Sequence, residues 1–382
     1  MIYIGNNEYP IYLGDSEIPA IYCGEELIYP VNLGTLTGIT IEDLVWKTDV
    51  PASGGTATEE NCTYKVVGHY DSGKSRTVTK DATVTGSLVV PATTAETREM
   101  VGVLQLTATY EGFTGTGSVD VYQEAVAVDY LSMPLTFEIV SAGNVVWKAS
   151  NSSIARSIKY SLDNGSTWTT ITSTTGGVSI PVSVGSIIQF KGTNSSYGAS
   201  NIFNSFSGSD ASFNAYGNIM SLINETDFKT LTSFSGSYNF YSLLRDTKLV
   251  DAGNLMLPVT ACTSNCYRNM FAFITTLIKA PELPATTLAS SCYQNMLYGC
   301  TALETAPVLP ASRLVNACYQ GLFYGCTHLN YIKCLATTIT GTSQWVENVQ
   351  TSSGTFVKHP QAAWTRGLSG IPTGWTIIES TE

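Results

Sequence analysis

The sequence predicts a mainly β, multidomain chain that closes in a repeat array mixing short helices with extended rungs. Three observations lead there. The 382 residues exceed one ordinary domain, so two to four modules are expected. Apolar residues alternate with polar ones over much of the first half, the signature of strands with one buried face. Near the C-terminus a Cys-Tyr-x-Asn/Gly unit begins at Cys266, Cys292 and Cys318, and an even step of that length means stacked repeats.

Composition agrees and removes several functions. Hydrophobic residues make up 43% and charged residues only 13%, against the roughly 25% charged that is usual. The balance is taken by Gly, Ser, Thr and Tyr, which suit turns and pleated strands. A net charge of −11, with the cationic residues scattered singly, argues against nucleic acid as a partner. No stretch approaches 18 uninterrupted apolar residues, so no membrane insertion is expected. The first residues, Met1-Ile2-Tyr3-Ile4-Gly5, lack the basic and apolar regions of a signal peptide, and synthesis in a cytoplasm is expected.

Taken in order, residues 1–30 hold three short copies: Ile2-Tyr3-Ile4-Gly5, Ile11-Tyr12-Leu13-Gly14 and Ile21-Tyr22-Cys23-Gly24. Each reads as strand, Gly-containing turn and strand. Units this small cannot bury a core alone, so the segment is a candidate docking or oligomerisation element, with Tyr3, Tyr12 and Tyr22 as its anchors. A plain meander packed on its neighbour is the equally weighted alternative.

Residues 31–128 read as an all-β sandwich. Leu104, Leu106, Ala108 and Tyr110 alternate with polar neighbours, Asp71-Ser72-Gly73-Lys74 supplies a hairpin turn, and a turn region is expected over Gly112 to Gly117. Residues 129–198 form a second small β module, immunoglobulin-like by strand count. Ser161-Leu162-Asp163-Asn164-Gly165-Ser166-Thr167-Trp168 matches the Asp-box pattern in full. One copy cannot make a propeller, so it is read as a hairpin turn and not as a catalytic element. Residues 199–235 are a connector or cap whose Phe203, Phe206, Phe213, Ile219 and Leu222 require burial.

Residues 236–382 carry the repeat and its C-terminal cap. Cys266-Tyr267-Arg268-Asn269-Met270-Phe271 recurs as Cys292-Tyr293-Gln294-Asn295-Met296-Leu297 and as Cys318-Tyr319-Gln320-Gly321-Leu322-Phe323, with a degenerate copy near Phe240-Tyr241. Cys292, Met296, Cys300 and Leu303 lie at i, i+4, i+8 and i+11, which predicts one buried face of a short helix. Stacking would place Cys over Cys and Met over Met, making Cys266, Met270, Cys292, Met296, Cys300, Cys318 and Cys326 the structural core of the repeat. The odd cysteine total and repeat spacing weigh against disulfides and against a zinc site. Tyr298 and Tyr324 recur beside that face and are the candidate recognition surface; covering the repeat edge is the bland alternative. Trp345, Trp364 and Trp375 are expected in the cap.

No catalytic, cofactor or metal residues are assigned. The three histidines are far apart, and no nucleophile elbow, zinc-protease or phosphate-loop motif occurs. The chain is therefore expected not to be an enzyme.

Resemblance adds to this reading. Leu297-Tyr298-Gly299-Cys300-Thr301-Ala302-Leu303 and Phe323-Tyr324-Gly325-Cys326-Thr327-His328-Leu329 resemble the BspA-like leucine-rich repeats, with Ile274 departing from the pattern in the first full copy. That resemblance covers roughly a third of the chain and implies an α/β leucine-rich-repeat-like solenoid used in protein or surface recognition. Val50-Pro51-Ala52-Ser53-Gly54-Gly55 resembles the opening of BACON-type immunoglobulin-like domains. Together with the Ile-Tyr-x-Gly copies, the combination is similar to head-fibre and tail-associated virion proteins of tailed phages of Bacteroidales, crAss-like ones included. The resemblance implies a structural virion protein, assembled in the host cytoplasm as a homotrimer. It would dock on capsid or tail proteins through the N-terminus and meet a host surface protein or glycan through the solenoid. A bacterial surface adhesin or a non-catalytic glycan-binding module is the alternative.

Overall fold

The computed structural model describes residues 34–93, 98–124, 128–349 and 353–380, together with the backbone of six short strands within positions 1–33. Those six pair as three antiparallel hairpins: Ile2–Ile4 with Asn7–Tyr9, Tyr12–Leu13 with Ser16–Glu17, and Tyr22–Cys23 with Glu26–Leu27. The side chains of Tyr3, Tyr12 and Tyr22, proposed from sequence as docking anchors, lie outside the described residues. The protein is mainly β, with several antiparallel sheets and no α-helix among the described residues. It divides into two compact units, Met1–Val128 and Asp129–Glu382.

In the first unit, Leu36–Trp46 pairs with Cys62–Tyr70, which turns at Asp71 to Lys74 into Ser75–Thr77. The Tyr70 N–H donates to the Lys74 carbonyl across that turn, and Gly73 takes φ +76°. The long strands Glu99–Tyr110 and Phe113–Gln123 form a second antiparallel pair. Their turn is Glu111-Gly112 alone, both residues at positive φ as a two-residue hairpin requires. The expected turn over Gly112 to Gly117 is thus corrected. Gly115 and Gly117 lie inside the strand, where a Cβ on Gly115 would come within 2.7 Å of the Ile39 carbonyl oxygen. These glycines serve close approach of Leu36–Trp46, not chain reversal. Two hydrophobic clusters fill the unit, one around Leu104, Leu106 and Val121, the other around Ile39, Val66 and Ala108.

The second unit opens on two sheets. One runs in the order Thr169–Thr172, Ser157–Ser161, Ile187–Lys191, Leu135–Ser141, Ser212–Asn218. The other runs Val178–Val182, Gly143–Ala149, Ile202–Ser205, Gly198–Ala199. Phe137, Phe190, Phe206 and Phe213 meet in the core, with Phe137 stacked on Phe213 at 4.2 Å between centroids. The segment 199–235, expected to connect or cap, supplies Ile202–Ser205 and Ser212–Asn218. The latter strand then pairs in parallel with Lys248–Leu249 and Asn254–Met256. One hydrophobic core therefore runs from Leu135 to Trp375, through residues that the sequence assigned to three segments.

The repeats depart most from expectation. No α-helix forms among the described residues, and no α/β solenoid is found. Instead the chain makes a string of tight turns with a period of four residues. Even-numbered N–H groups bond back three residues: Arg268 to Asn265, Met270 to Tyr267, Ala272 to Asn269. Odd-numbered ones bond to the next copy: Tyr267 to Cys292, Asn269 to Gln294, Phe271 to Met296. The alternation continues from Tyr293, Asn295, Leu297 and Gly299 to Cys318, Gln320, Leu322 and Tyr324. Every fourth residue has positive φ: Asn265, Asn269 and Phe273; Ser291, Asn295 and Gly299; Ala317, Gly321 and Gly325. Those are third positions of turns that favour Gly or Asn, though Phe273, Ser291 and Ala317 adopt them too, and a residue at such φ cannot continue an α-helix. The Cys-Met-Cys spacing of four does mark one buried face, but a helix turns every 3.6 residues and would let it drift. A period of four keeps it aligned.

Candidate recognition surface

Burial over Cys292 to Cys300 follows a strict rule of two residues in, two out. The inward pairs are Cys292-Tyr293 and Met296-Leu297; the outward pairs are Gln294-Asn295 and Tyr298-Gly299. Each outward pair ends on a residue at positive φ, Asn295 and Gly299, the residue types that adopt it at least cost.

The inward residues form two ladders. Cys266, Met270, Cys292, Met296, Cys300, Cys318 and Cys326 are all fully buried. The Cys300 and Cys326 thiols donate to the Phe271 and Leu297 carbonyls at 3.2 and 3.1 Å. Every cysteine among the described residues is free and buried. Burial pushes the Cys326 and Cys334 thiols up to about 12, and drives Cys300 well above the ordinary value. Within the trio Cys262, Cys266 and Cys292, hydrogen bonds first from Cys266 and then from Cys292 lower the Cys262 thiol, while burial raises its two neighbours. Among the described residues no group of three His, Cys, Asp or Glu could hold a metal ion.

The second ladder is aromatic, and sequence reasoning missed most of it. Phe240, Tyr267, Tyr293, Tyr319 and Trp345 recur at the step of the repeat, give or take one position. They stack at centroid distances of 5.6 to 6.3 Å. Tyr197 of the preceding sheets begins the column on Phe240, and Trp364 ends it on Trp345 at 5.1 Å. Trp345 donates to the Gly370 carbonyl and Trp364 to that of Ala336; Trp375 is buried beside them. The signal was available: a tyrosine directly follows Cys266, Cys292 and Cys318.

On the outer face, Tyr298 and Tyr324 do come together, 4.5 Å apart and 3° from parallel. Phe273 leans on the other side of Tyr298 at 5.1 Å. Tyr298 is thus held between two rings, while Tyr324 stacks on Tyr298. Beside them the Gln294 amide donates to the Gln320 side chain at 3.2 Å, a second column in register with the first. Further toward the N-terminus the corresponding positions hold Arg245 and Arg268. Comparison with known protein families, curated proteins and solved structures gives no match for this chain.

The Asp-box forms the turn of the hairpin joining Ser157–Ser161 to Thr169–Thr172. Asp163 accepts from the Thr167 hydroxyl at 2.6 Å, the Thr167 N–H at 2.9 Å and the Ser161 hydroxyl at 2.7 Å. These bonds, the Thr167 hydroxyl foremost, hold its carboxyl down at about 2. Gly165 takes φ +84°, and the Trp168 indole donates to its carbonyl. The Asn164 amide oxygen accepts from Gln189 of the neighbouring strand at 3.2 Å, tying the turn to the sheet.

Proposed function

We propose that this chain is a structural virion protein of a tailed phage, a head fibre or tail-associated fibre, that attaches to or recognises a surface without catalysis. Its two sheet-built regions are immunoglobulin-like modules on this reading. The N-terminal hairpins dock it on capsid or tail proteins, it assembles as a homotrimer, and the outer face of the repeat stack meets the host surface. The sequence resemblance supplies the virion context. The observation that best supports recognition is the outer face itself, where side chains stand in columns on a hydrogen-bonded backbone, so a binding group pays little ordering entropy.

Mass spectrometry of gradient-purified particles is the test of the first half. Stoichiometric recovery of this chain with capsid and tail proteins is expected; its absence from particles would sink the proposal. For the second half, particles carrying Tyr298→Ala with Tyr324→Ala should adsorb to host cells more slowly than the parent.

A further inference from the structure

A run of ring contacts links two arginines where the sheets meet the first repeats, by way of the buried Tyr241 and of Phe203 from the strand Ile202–Ser205. The Arg268 guanidinium lies over Tyr241 at 5.7 Å, and Tyr241 meets Phe203 edge-on at 5.8 Å. Arg245 lies 6.0 Å from Phe203 and 4.7 Å over Phe273, which leads on to Tyr298. Among the described residues neither guanidinium makes an ion pair. The Arg268 Nε is buried with no hydrogen-bond partner, and its Nη1 reaches only the Asn265 amide oxygen at 3.3 Å.

What sets Arg245 and Arg268 apart is that both lie against one aromatic run with no acid paired to either among the described residues. Stacking on rings orients a guanidinium plane and strips part of its water while leaving its in-plane donors free. The Arg268 Nε is enclosed, which leaves Arg268, like Arg245, its terminal nitrogens to offer to an outside acceptor. A carboxylate answers both, since it accepts from a guanidinium along two parallel bonds. The rest of the face is largely hydroxyl and amide (Tyr298, Tyr324, Gln294, Gln320), with the exposed Phe273 ring between and the Glu347 carboxylate near Tyr298. That suits a hydroxyl-rich polymer better than an apolar peptide side chain.

We propose that Arg245 and Arg268 bind the carboxylate groups of an acidic glycan, a uronate- or sialate-bearing chain laid along the repeat face. This rests on reading that face as the recognition surface. The test uses the purified full chain and calorimetric titration with oligogalacturonate and with a sialylated oligosaccharide. Each probe is run beside its carboxyl-reduced form, and polyglutamate serves as the acidic-peptide control. Expected is binding of at least one acidic glycan, weakened by salt and lost on carboxyl reduction. Arg245→Gln or Arg268→Gln should weaken it roughly tenfold or more, by loss of a charge-assisted pair. Equal binding of the carboxyl-reduced probe, equal or tighter binding of polyglutamate, or no binding of either acidic glycan overturns the proposal. The carboxyl-reduced arm needs no variant, so misfolding of either one leaves it decisive. Glycan binding by a chain absent from particles would sink the virion reading and leave this one standing; the reverse pattern would do the opposite.

Discussion

At the residue scale, the repeat is a set of backbone demands met by particular side chains. Gly325 sits at φ +73°, and a methyl group added there would meet nothing closer than 3.6 Å, so its need is conformational and not steric. Gly325→Ala should cost about 1 kcal/mol of unfolding free energy and Gly325→Asn less, read by denaturant titration of the 129–382 unit. Gly321→Ala should cost more, because its methyl would also meet the Asn295 side-chain oxygen at 2.1 Å. Tyr267 offers the opposite case. Its hydroxyl is buried without a partner, midway along the aromatic column. Tyr267→Phe keeps the stacked ring and removes the stranded group, so stability should rise by about 1 kcal/mol in the same titration. A fall of that size would mean that the hydroxyl is satisfied after all.

At the scale of the element, the cysteine ladder makes the stack sensitive to alkali. A thiol raised on folding keeps its proton in the native state while the unfolded chain loses it. The unfolded state then binds fewer protons, so stability falls as pH rises. Stability from Cys326 and Cys334 is full below about 9 and is lost from there up to about 12. Each of these thiols removes about 1.4 kcal/mol per pH unit in that window. Urea midpoints measured from pH 8 to 11 should drop steadily. In Cys326→Ala the drop should be shallower, even though its starting stability is lower for want of a buried group. The buried set was legible in the sequence, because spacing alone brought Cys266, Cys292 and Cys318 onto one face. The element was not. Apolar residues four apart suit a helix loosely and a four-residue turn string well, and only the Asn or Gly at six of the nine every-fourth positions distinguishes the two.

At the scale of the molecule, the second unit folds as one body. Ser212–Asn218 receives both Lys248–Leu249 and Asn254–Met256, and Phe240, Leu243 and Leu244 belong to the core that Phe137 and Trp147 begin. A fragment ending at residue 235 would expose that strand's edge and strip one wall from the core. The fragment 129–235 should therefore fail to give a dispersed amide spectrum, whereas 129–382 should give one. A well-dispersed spectrum from the shorter piece would restore the module boundary that the sequence suggested. Composition could not reveal this fusion, since a parallel pairing between distant segments leaves no local pattern.

Sequence alone determined that the chain is mainly β, where its repeats lie, that their cysteines are packing residues, and that Tyr298 and Tyr324 share a face. Each of these follows from periodicity, which is a property of the chain read one residue after another. Tertiary structure decided the rest. It replaced a helix by turns, because backbone hydrogen bonds between copies satisfy every second N–H and so make a period of four stable. It placed Tyr298 between Phe273 and Tyr324. It also brought Arg245 and Arg268, which belong to successive copies of the repeat, onto one aromatic run through Phe203 and Tyr241. No local rule predicts that meeting, because it depends on where the sheets end and the stack begins.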